Sequence, residues 1–191
     1  MLKGNIFVLS GPSGVGKNTV YDELCKIDSN IAQTVSVTTR QPRNNEVDGV
    51  DYYFVSVDRF KEMIANDEFV EYVQYGDNFY GTLKIEINNL VDNGRTVILV
   101  IEVRGAENIK RCFPLSKSLF ILPPSHDALV ERIRGRGENT DEEIQKRIDI
   151  AKNELTYQDF YDFRVINDDL DTCVREIYEI IKSEINKGDR L

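Results

Sequence analysis

A glycine-rich segment near the N-terminus has the residue types and spacing of a phosphate-binding loop. The segment GPSGVGKNT follows an apolar run and precedes a helical stretch. Its glycines allow backbone N–H groups to close around phosphate oxygens, the helix N-terminus adds partial positive charge, and Lys17 can reach the β- and γ-phosphates. This predicts a nucleoside triphosphate site formed by Gly11, Pro12, Ser13, Gly14, Val15, Gly16, Lys17, Asn18 and Thr19.

The residue after the lysine departs from the usual pattern of such a loop. A Ser or Thr hydroxyl normally stands there and binds Mg²⁺, but here the residue is Asn18. An amide oxygen can coordinate a hard cation, although its longer side chain changes the geometry. Thr19 lies about 100° further around the helix and cannot simply substitute. Asn18 is therefore the one possible protein ligand for Mg²⁺, and no dedicated metal site is predicted.

A second candidate phosphate site lies in the segment SVTTRQPR. Arg40 and Arg43 are three residues apart on an extended, proline-stiffened stretch. Paired arginines are good receptors for a phosphate dianion. Polar residues that could complete a site follow at Tyr52, Glu71 and Tyr80.

The elements that must position these residues alternate between strands and helices. Apolar runs typical of a parallel sheet covered on both faces occur at Ile6–Leu9, Val97–Ile101, Leu119–Leu122 and Val165–Ile166. Helices are predicted at Lys17–Ile27, at Ala106–Arg111, and after Asp58, Thr82, Ser125, Thr140 and Asp169. Thr140 and Glu143 form a capping-box pattern. The alternation predicts an α/β fold with a mainly parallel sheet.

Two segments interrupt the alternation. Residues 34–81 carry strand-like pieces at Tyr52–Val55 and Phe69–Val73 and predict a small, mostly β insertion. Residues 132–147 contain four arginines with two glycines between them. A flexible, basic stretch in an acidic protein is a candidate lid.

Composition limits the classes of function. The chain has 191 residues and a net charge of −9, which suits one domain and argues against nonspecific coating of nucleic acid or anionic membrane. Its three cysteines are scattered and its single histidine, His126, has no partner pattern, so neither zinc nor a disulfide framework is expected. The apolar runs are too short for a signal sequence or a membrane span. We expect a cytoplasmic protein, with its oligomeric state left open.

Taken together, the motifs resemble those of the guanylate kinase family over essentially the whole chain. The resemblance rests on the glycine-rich loop, SVTTRQPR, GVDYYFV, the isolated Glu71, YGT at Tyr80, the strand ending in Glu102, PPS at Pro123, RGRG at Arg134 and NDD at Asn167. It implies a P-loop α/β core with a GMP-binding insertion and a helical lid. It also implies transfer of a phosphoryl group from ATP, with Mg²⁺, to GMP and to dGMP, giving a nucleoside diphosphate and ADP.

The resemblance also implies a role for individual residues. Arg40, Arg43, Tyr52 and Tyr80 would hold the GMP phosphate. Glu71 and Glu102 would accept hydrogen bonds from guanine, Ser36 and Thr82 would donate to its O6, and Gly81 belongs to the same site. Asn167 would lie near the ATP adenine. Lys17, Arg40, Arg136 and Arg147 would be catalytic, with Arg132 and Arg134 as weaker lid candidates. The implied divisions within a single domain, 1–191, are a core at about 1–33, 83–131 and 156–191, a GMP-binding subdomain at about 34–82 and a lid at about 132–155.

Two further positions depart from the family pattern. Val100 stands where a carboxylate is common, two residues before Glu102, and strand alternation would place both on one face. Arg104 replaces a common Gln. Asn18 and Val100 both remove groups expected near Mg²⁺, so weaker or altered use of the metal is expected, with function retained. The alternatives are an inactive guanylate-kinase-like binding module and a kinase of the same fold for another phosphorylated acceptor. A regulatory GTP-binding protein is disfavoured because the chain lacks an NKxD motif.

Overall fold

The computed structural model describes residues 4–135 and 140–188. The strands are β1 (Asn5–Ser10), β2 (Ile31–Ala32), β3 (Val37–Thr38), β4 (Tyr53–Phe54), β5 (Phe69–Tyr75), β6 (Asn78–Leu83), β7 (Thr96–Val100), β8 (Lys117–Leu122) and β9 (Phe163–Ile166). The α-helices are α1 (Lys17–Ile27), α2 (Val57–Ala65), α3 (Lys84–Asp92), α4 (Ala106–Cys112), α5 (His126–Arg134), α6 (Asp141–Leu155) and α7 (Leu170–Gly188).

A five-stranded parallel sheet forms the core, in the order β2-β7-β1-β8-β9. Alternate residues of β1 enter different cores: Phe7 and Leu9 pack with α1 and α7, whereas Ile6 and Val8 pack with α3 and α4. Burial on both faces explains the uninterrupted apolar run of this strand. The predicted α/β class with a parallel sheet is confirmed.

A second sheet, in the order β4-β3-β6-β5, is built from the segment predicted to be mostly β. Helix α2 covers it, and the ring of Phe60 stacks on Phe69 at a centroid distance of 4.5 Å and on Phe79 at 5.3 Å. A Cβ at Gly81 would lie 2.7 Å from the Phe69 ring, so this position requires glycine for close packing. The aromatic cluster therefore holds β5 and β6 in register beneath the polar residues they carry.

The predicted end of one core strand differs from the structure. Strand β7 ends at Val100, although the N–H of Ile101 still donates to the carbonyl of Leu9 at 3.3 Å. Glu102 lies beyond the strand, before a 3₁₀ turn at Val103–Gly105. The placement of positions 100 and 102 on one face of a strand therefore stays a prediction, because Glu102 lies outside β7.

Most of the described part of the stretch predicted as a flexible lid is helical. Helix α5 contains Arg132 and Arg134, and α6 contains Arg147. The predicted capping box is confirmed, because the Thr140 hydroxyl accepts from the N–H of Glu143 while the Glu143 carboxylate accepts from the N–H of Thr140. Helices α5 and α6 pack through a small apolar core of Leu129, Ile133, Ile148 and Ala151. None of the helices in the described part of the chain has the length and apolar character needed to span a membrane.

Candidate active site

The glycine-rich loop connects β1 to α1 as predicted. Gly11 has φ of 152°, and a Cβ there would lie 2.5 Å from the carbonyl oxygen of Ile121 on β8. Gly16 precedes α1 with φ of 99°, and no side chain caps the helix. The first N–H groups of α1 therefore face the loop, the arrangement that binds phosphate.

Two charged side chains reach the backbone of this loop. The Lys17 ammonium donates to the carbonyl oxygens of Gly11 at 2.6 Å and Pro12 at 3.3 Å. A carboxylate oxygen of Glu154, from α6, accepts from the N–H of Ser13 at 2.8 Å. Glu154 is only 9% exposed. The contact shows that a loop N–H is directed at a position where an anion is bound.

Sequence reasoning missed Glu154. Its spacing from Arg147 was the available signal, because residues seven apart share a face of an α-helix. The face of α6 that carries Arg147 is therefore also the face that contacts the phosphate-binding loop through Glu154.

Asn167, predicted near the ATP adenine, lies beside the loop. It is buried, and its amide Nδ2 donates to the carbonyl of Val15 at 2.8 Å. Together with Thr19 and Arg132 it borders a cleft of about 440 Å³ next to the loop glycines. The cleft is open to solvent at the position where a nucleoside attached to loop-bound phosphates would extend. Asn18 is exposed in the first turn of α1.

The structure brings together three of the four residues predicted to hold the acceptor phosphate. The Tyr52 and Tyr80 rings meet edge to face with centroids 6.2 Å apart, and the Arg40 guanidinium lies 5.4 Å from the centre of the Tyr52 ring. Threonine hydroxyls fix the segment before Arg40. The Thr38 hydroxyl donates to the carbonyl of Phe79, and the Thr39 hydroxyl accepts from the N–H of Phe79. These bonds place Arg40 beside β6 and Tyr80.

The fourth residue, Arg43, is exposed on the following turn, and its backbone N–H donates to the Glu46 carboxylate at 2.7 Å. Glu46, which sequence reasoning also missed, pairs with both terminal nitrogens of Arg40 at 2.9 Å. The hydrogen bonds from Arg40, together with that from the Arg43 backbone, lower the pKa of Glu46 to about 2. The same pair raises the pKa of Arg40.

The two carboxylates predicted to bind guanine lie near each other, Glu71 on β5 and Glu102 in the segment after β7. Glu71 on β5 accepts a hydrogen bond from the Thr82 hydroxyl on β6 at 2.7 Å. Burial raises the pKa of Glu71, the Thr82 hydrogen bond lowers it, and the nearby charge of Glu102 raises it further. A carboxylate in partly buried surroundings and close to a second one is suited to accept N–H groups from a ligand.

Thr82 has a different partner from the one expected. Its hydroxyl proton is donated to Glu71 in this arrangement, so its donation to guanine O6 stays a prediction. Ser36 precedes β3, and its carbonyl accepts from the N–H of Tyr53 at 2.9 Å. Gly81 lies buried in β6 next to Thr82.

Helix α6 borders the guanine side of the site as well as the loop. Glu102 and Glu154 line a cleft of about 500 Å³ with Asp149 and Asn153. Arg147 is half-buried on this helix, whereas Arg136 lies outside the described residues. Helix α6 thus contacts the glycine-rich loop through Glu154 and lines a cleft together with Glu102.

The surroundings of Val100 and the acidic side chains bear on whether the chain holds a resident metal ion. Val100 is half-buried and packs against the core formed with α1 and α7. Within residues 4–135 and 140–188, no three His, Cys, Asp or Glu side chains gather into a metal-binding group. The role of Asn18 as a possible ligand for Mg²⁺ stays a prediction.

Comparison with known proteins agrees with this arrangement. The guanylate kinase family model matches residues 3–184. The chain is 47% identical over 188 residues to a guanylate kinase of Clostridioides difficile (strain 630), covering 98% of this chain and 92% of that protein. It is 42% identical over 191 residues to a guanylate kinase of Carboxydothermus hydrogenoformans, covering 100% and 94%.

A solved structure is similar over nearly the same extent. The crystal structure of guanylate kinase from Anaplasma phagocytophilum superposes with a TM-score of 0.71 at 32% identity, covering 95% of this chain and 86% of that one. The P-loop, the two carboxylates and the Arg–Tyr cluster occur in one fold with full-length similarity to these proteins. The chain belongs to the guanylate kinase family.

Proposed function

We propose that this chain transfers the γ-phosphoryl group of ATP to GMP, and to dGMP, producing the nucleoside diphosphate and ADP. The observation that carries the proposal is the proximity of Glu71 on β5 to Glu102, which follows β7, in a chain whose P-loop keeps its glycines and Lys17 but has Asn18 in place of Ser or Thr. A P-loop alone indicates only a nucleoside triphosphate. The paired carboxylates specify guanine.

The acceptor base is selected by hydrogen bonding to these carboxylates. Guanine presents N1–H and a 2-amino group, which Glu71 and Glu102 can accept. Adenine has neither donor at these positions, so AMP would leave both carboxylates, including the half-buried Glu71, without these partners. Ser36 and Thr82 lie at the edge of the same site and would contact O6.

The donor is ATP with its magnesium ion, which is bound as part of the substrate. ATP-dependent kinases generally require Mg²⁺, and the ion neutralises phosphate charge. The N–H groups of the loop and of α1 would hold the β-phosphate, with Lys17 reaching the γ-phosphate. The cleft beside Asn167 would hold the adenosine.

The reaction needs orientation and charge rather than a general base. The nucleophile is a GMP phosphate oxygen, already ionised at neutral pH because the second pKa of such a phosphate is about 6. It forms a bond to the γ-phosphorus as the bond to the β–γ bridging oxygen breaks. Lys17, Arg40, Arg136 and Arg147 supply positive charge to the transferring group.

Movement of two subdomains would exclude water from this reaction. We assign the core to about 1–33, 83–131 and 156–191, the GMP-binding subdomain to about 34–82 and the lid to about 132–155. The support is that α6 already contacts the P-loop through Glu154. Closure limits hydrolysis of ATP by water.

Phosphorus NMR of the products tests the proposal. The protein is mixed with ATP, Mg²⁺ and GMP, and the spectrum is followed with time. We expect ADP and GDP to appear in equal amounts with little inorganic phosphate. Release of inorganic phosphate without GDP, or binding of GMP without turnover, would contradict the proposed reaction.

A further inference from the structure

We propose that Glu46 is a positioning residue for the acceptor phosphate. It holds the end of the Arg40 guanidinium so that the side edge of this group is presented to GMP. The inference rests on the proposed function, because it takes Arg40 as a receptor for the GMP phosphate.

The hydrogen bonds of Arg40 divide the guanidinium into two edges. Nη1 and Nη2 each donate to one Glu46 oxygen at 2.9 Å, and Nη1 also donates to the carbonyl of Gln41 at 2.8 Å. These contacts use three of the five N–H groups. The other two, on Nε and Nη2, form the side edge, for which the described residues supply no carboxylate or carbonyl partner.

The side edge is suited to an incoming phosphate. Two parallel N–H groups match two oxygens of a phosphate in the bidentate geometry that arginine favours. The hydrogen bonds of Glu46 are the main cause of the raised pKa of Arg40, and a smaller contribution comes from a hydrogen bond with the Tyr80 hydroxyl, which therefore lies beside the guanidinium as a further phosphate donor. Because Glu46 occupies the other edge, the phosphate need not displace it.

A tight turn fixes Glu46 itself. The N–H of Glu46 donates to the carbonyl of Arg43 at 3.1 Å, and the Glu46 carboxylate accepts from the N–H of Arg43 at 2.7 Å. Asn45 occupies the third turn position with φ of 75°, a conformation that asparagine tolerates. The carboxylate is therefore held by its own loop, independently of Arg40.

Aromatic contacts and shielding from water complete the arrangement. The guanidinium lies 5.4 Å from the centre of the Tyr52 ring and 5.8 Å from that of Phe54. The side chains of Arg40 and Glu46 are 15% and 19% exposed. With its plane fixed by rings and its end fixed by a carboxylate, Arg40 loses little rotamer freedom when phosphate binds.

The test measures GMP affinity in Glu46→Gln and Glu46→Ala by isothermal titration calorimetry, alongside KM for both nucleotides and the melting temperature. We expect Glu46→Ala to raise the Kd for GMP about tenfold, and Glu46→Gln to raise it less because its amide oxygen can still accept one bond. KM for ATP should stay within about twofold. The matched control is Glu62→Ala, which removes an exposed carboxylate of α2 that pairs with Arg59 instead.

A double-mutant cycle tests whether Glu46 acts through Arg40. In an Arg40→Ala background, Glu46→Ala should weaken GMP binding no further. Tighter GMP binding by Glu46→Ala would show that Glu46 competes with the phosphate for Arg40, which would overturn the inference. Unchanged GMP binding in Glu46→Ala would overturn it as well. So would losses that are independent and additive with those of Arg40→Ala. An effect of Arg40→Ala without one of Glu46→Ala would overturn only this inference, whereas a wild-type protein that does not phosphorylate GMP would overturn the proposed function. If the melting temperature of Glu46→Ala is well below that of the wild type, the Kd of Glu46→Gln for GMP tests the inference instead.

Discussion

The donor and acceptor phosphate sites are built in different ways. The donor site uses backbone N–H groups from one continuous segment, and Asn167 braces that segment through the carbonyl of Val15. The acceptor site uses the ends of long side chains, Arg40, Tyr52 and Tyr80, from separate parts of the second sheet. A backbone site is organised by chain geometry, whereas a side-chain site needs partners to hold each group in place.

A carboxylate of the protein contacts each site, and the two carboxylates differ in how many groups they hold. Glu154 contacts a single N–H of the donor loop, while Glu46 binds two nitrogens of Arg40 and a backbone N–H. We expect substitutions in the loop to act on ATP and those around Arg40 to act on GMP. A residue that serves both sites should affect the reaction with both substrates.

Arg147→Ala should cause the largest loss. Helix α6, which carries Arg147, contacts the donor loop and lines a cleft with Glu102. The charge of Arg147 can therefore stabilise the transferring phosphoryl group. An arginine that stabilises this transition state is worth about 10³-fold or more in rate. We expect a loss of this size in kcat, measured with both substrates saturating. Lys152→Ala, which removes an exposed cation from the same helix, is the control, and near-normal kcat in Arg147→Ala would refute the role.

Gly11→Ala should damage the donor site alone. The new Cβ would approach the Ile121 carbonyl to 2.5 Å at a φ of 152°. Strain of this kind costs about 1–3 kcal/mol, so we expect KM for ATP to rise about tenfold or more with an unchanged Kd for GMP. Gly76→Ala serves as the control, because Gly76 has φ of 59° but no atom within 4 Å of the added Cβ. If Gly11→Ala raised KM for ATP and Kd for GMP by the same factor, the two sites would not be independent.

The pH dependence of guanosine binding should report Glu71. Burial and the charge of Glu102 raise the pKa of this carboxyl, and only its ionised form accepts both guanine N–H groups. Affinity for guanosine, which has no titrating phosphate, should therefore fall as the pH drops through the raised pKa of Glu71, by about tenfold for each pH unit below it. Titration calorimetry at acid and neutral pH measures this. Glu71→Gln should bind more weakly and lack the acid decline, and an identical decline in that variant would assign the effect elsewhere.

Val100→Glu should produce the smallest change. It introduces a carboxylate at the end of β7, next to the strand that leads into the donor loop, at the position where the family resemblance implies one. We expect activity at a lower Mg²⁺ concentration than in the wild type, because an added oxygen ligand favours a hard cation. The measurement is the Mg²⁺ concentration for half-maximal activity. An unchanged value would show that the carboxylate is dispensable in this chain.

Local patterns in the sequence predicted much of the core. The bounds of α1 matched Lys17–Ile27, and the apolar runs marked four of the five core strands. The two-residue strands β2 and β3 were missed because they are too short to show a periodicity. Strand β6 was missed because its Tyr-Gly-Thr centre is polar and owes its place to the packing of Gly81 under Phe69.

The candidate site was less accessible from sequence for a related reason. The P-loop is contiguous, so its spacing alone predicted it. Glu46 and Glu154 are ordinary acidic residues in sequence, and their partners become evident only when the turn at Arg43 and the packing of α6 are seen. The Thr82 hydrogen bond to Glu71 depends on strand register, which a β-bulge between Phe69 and Glu71 shifts.

The most direct test of guanine recognition is a coupled ADP-release assay with MgATP and a panel of acceptors: GMP, dGMP, AMP, UMP, CMP and IMP. The paired carboxylates predict efficient turnover of GMP and a preference over AMP of about 10⁴-fold or more in kcat/KM. IMP, which has N1–H but no 2-amino group, should fall between them. Comparable rates with AMP, or no turnover of GMP, would contradict the assignment of Glu71 and Glu102 as the residues that select guanine.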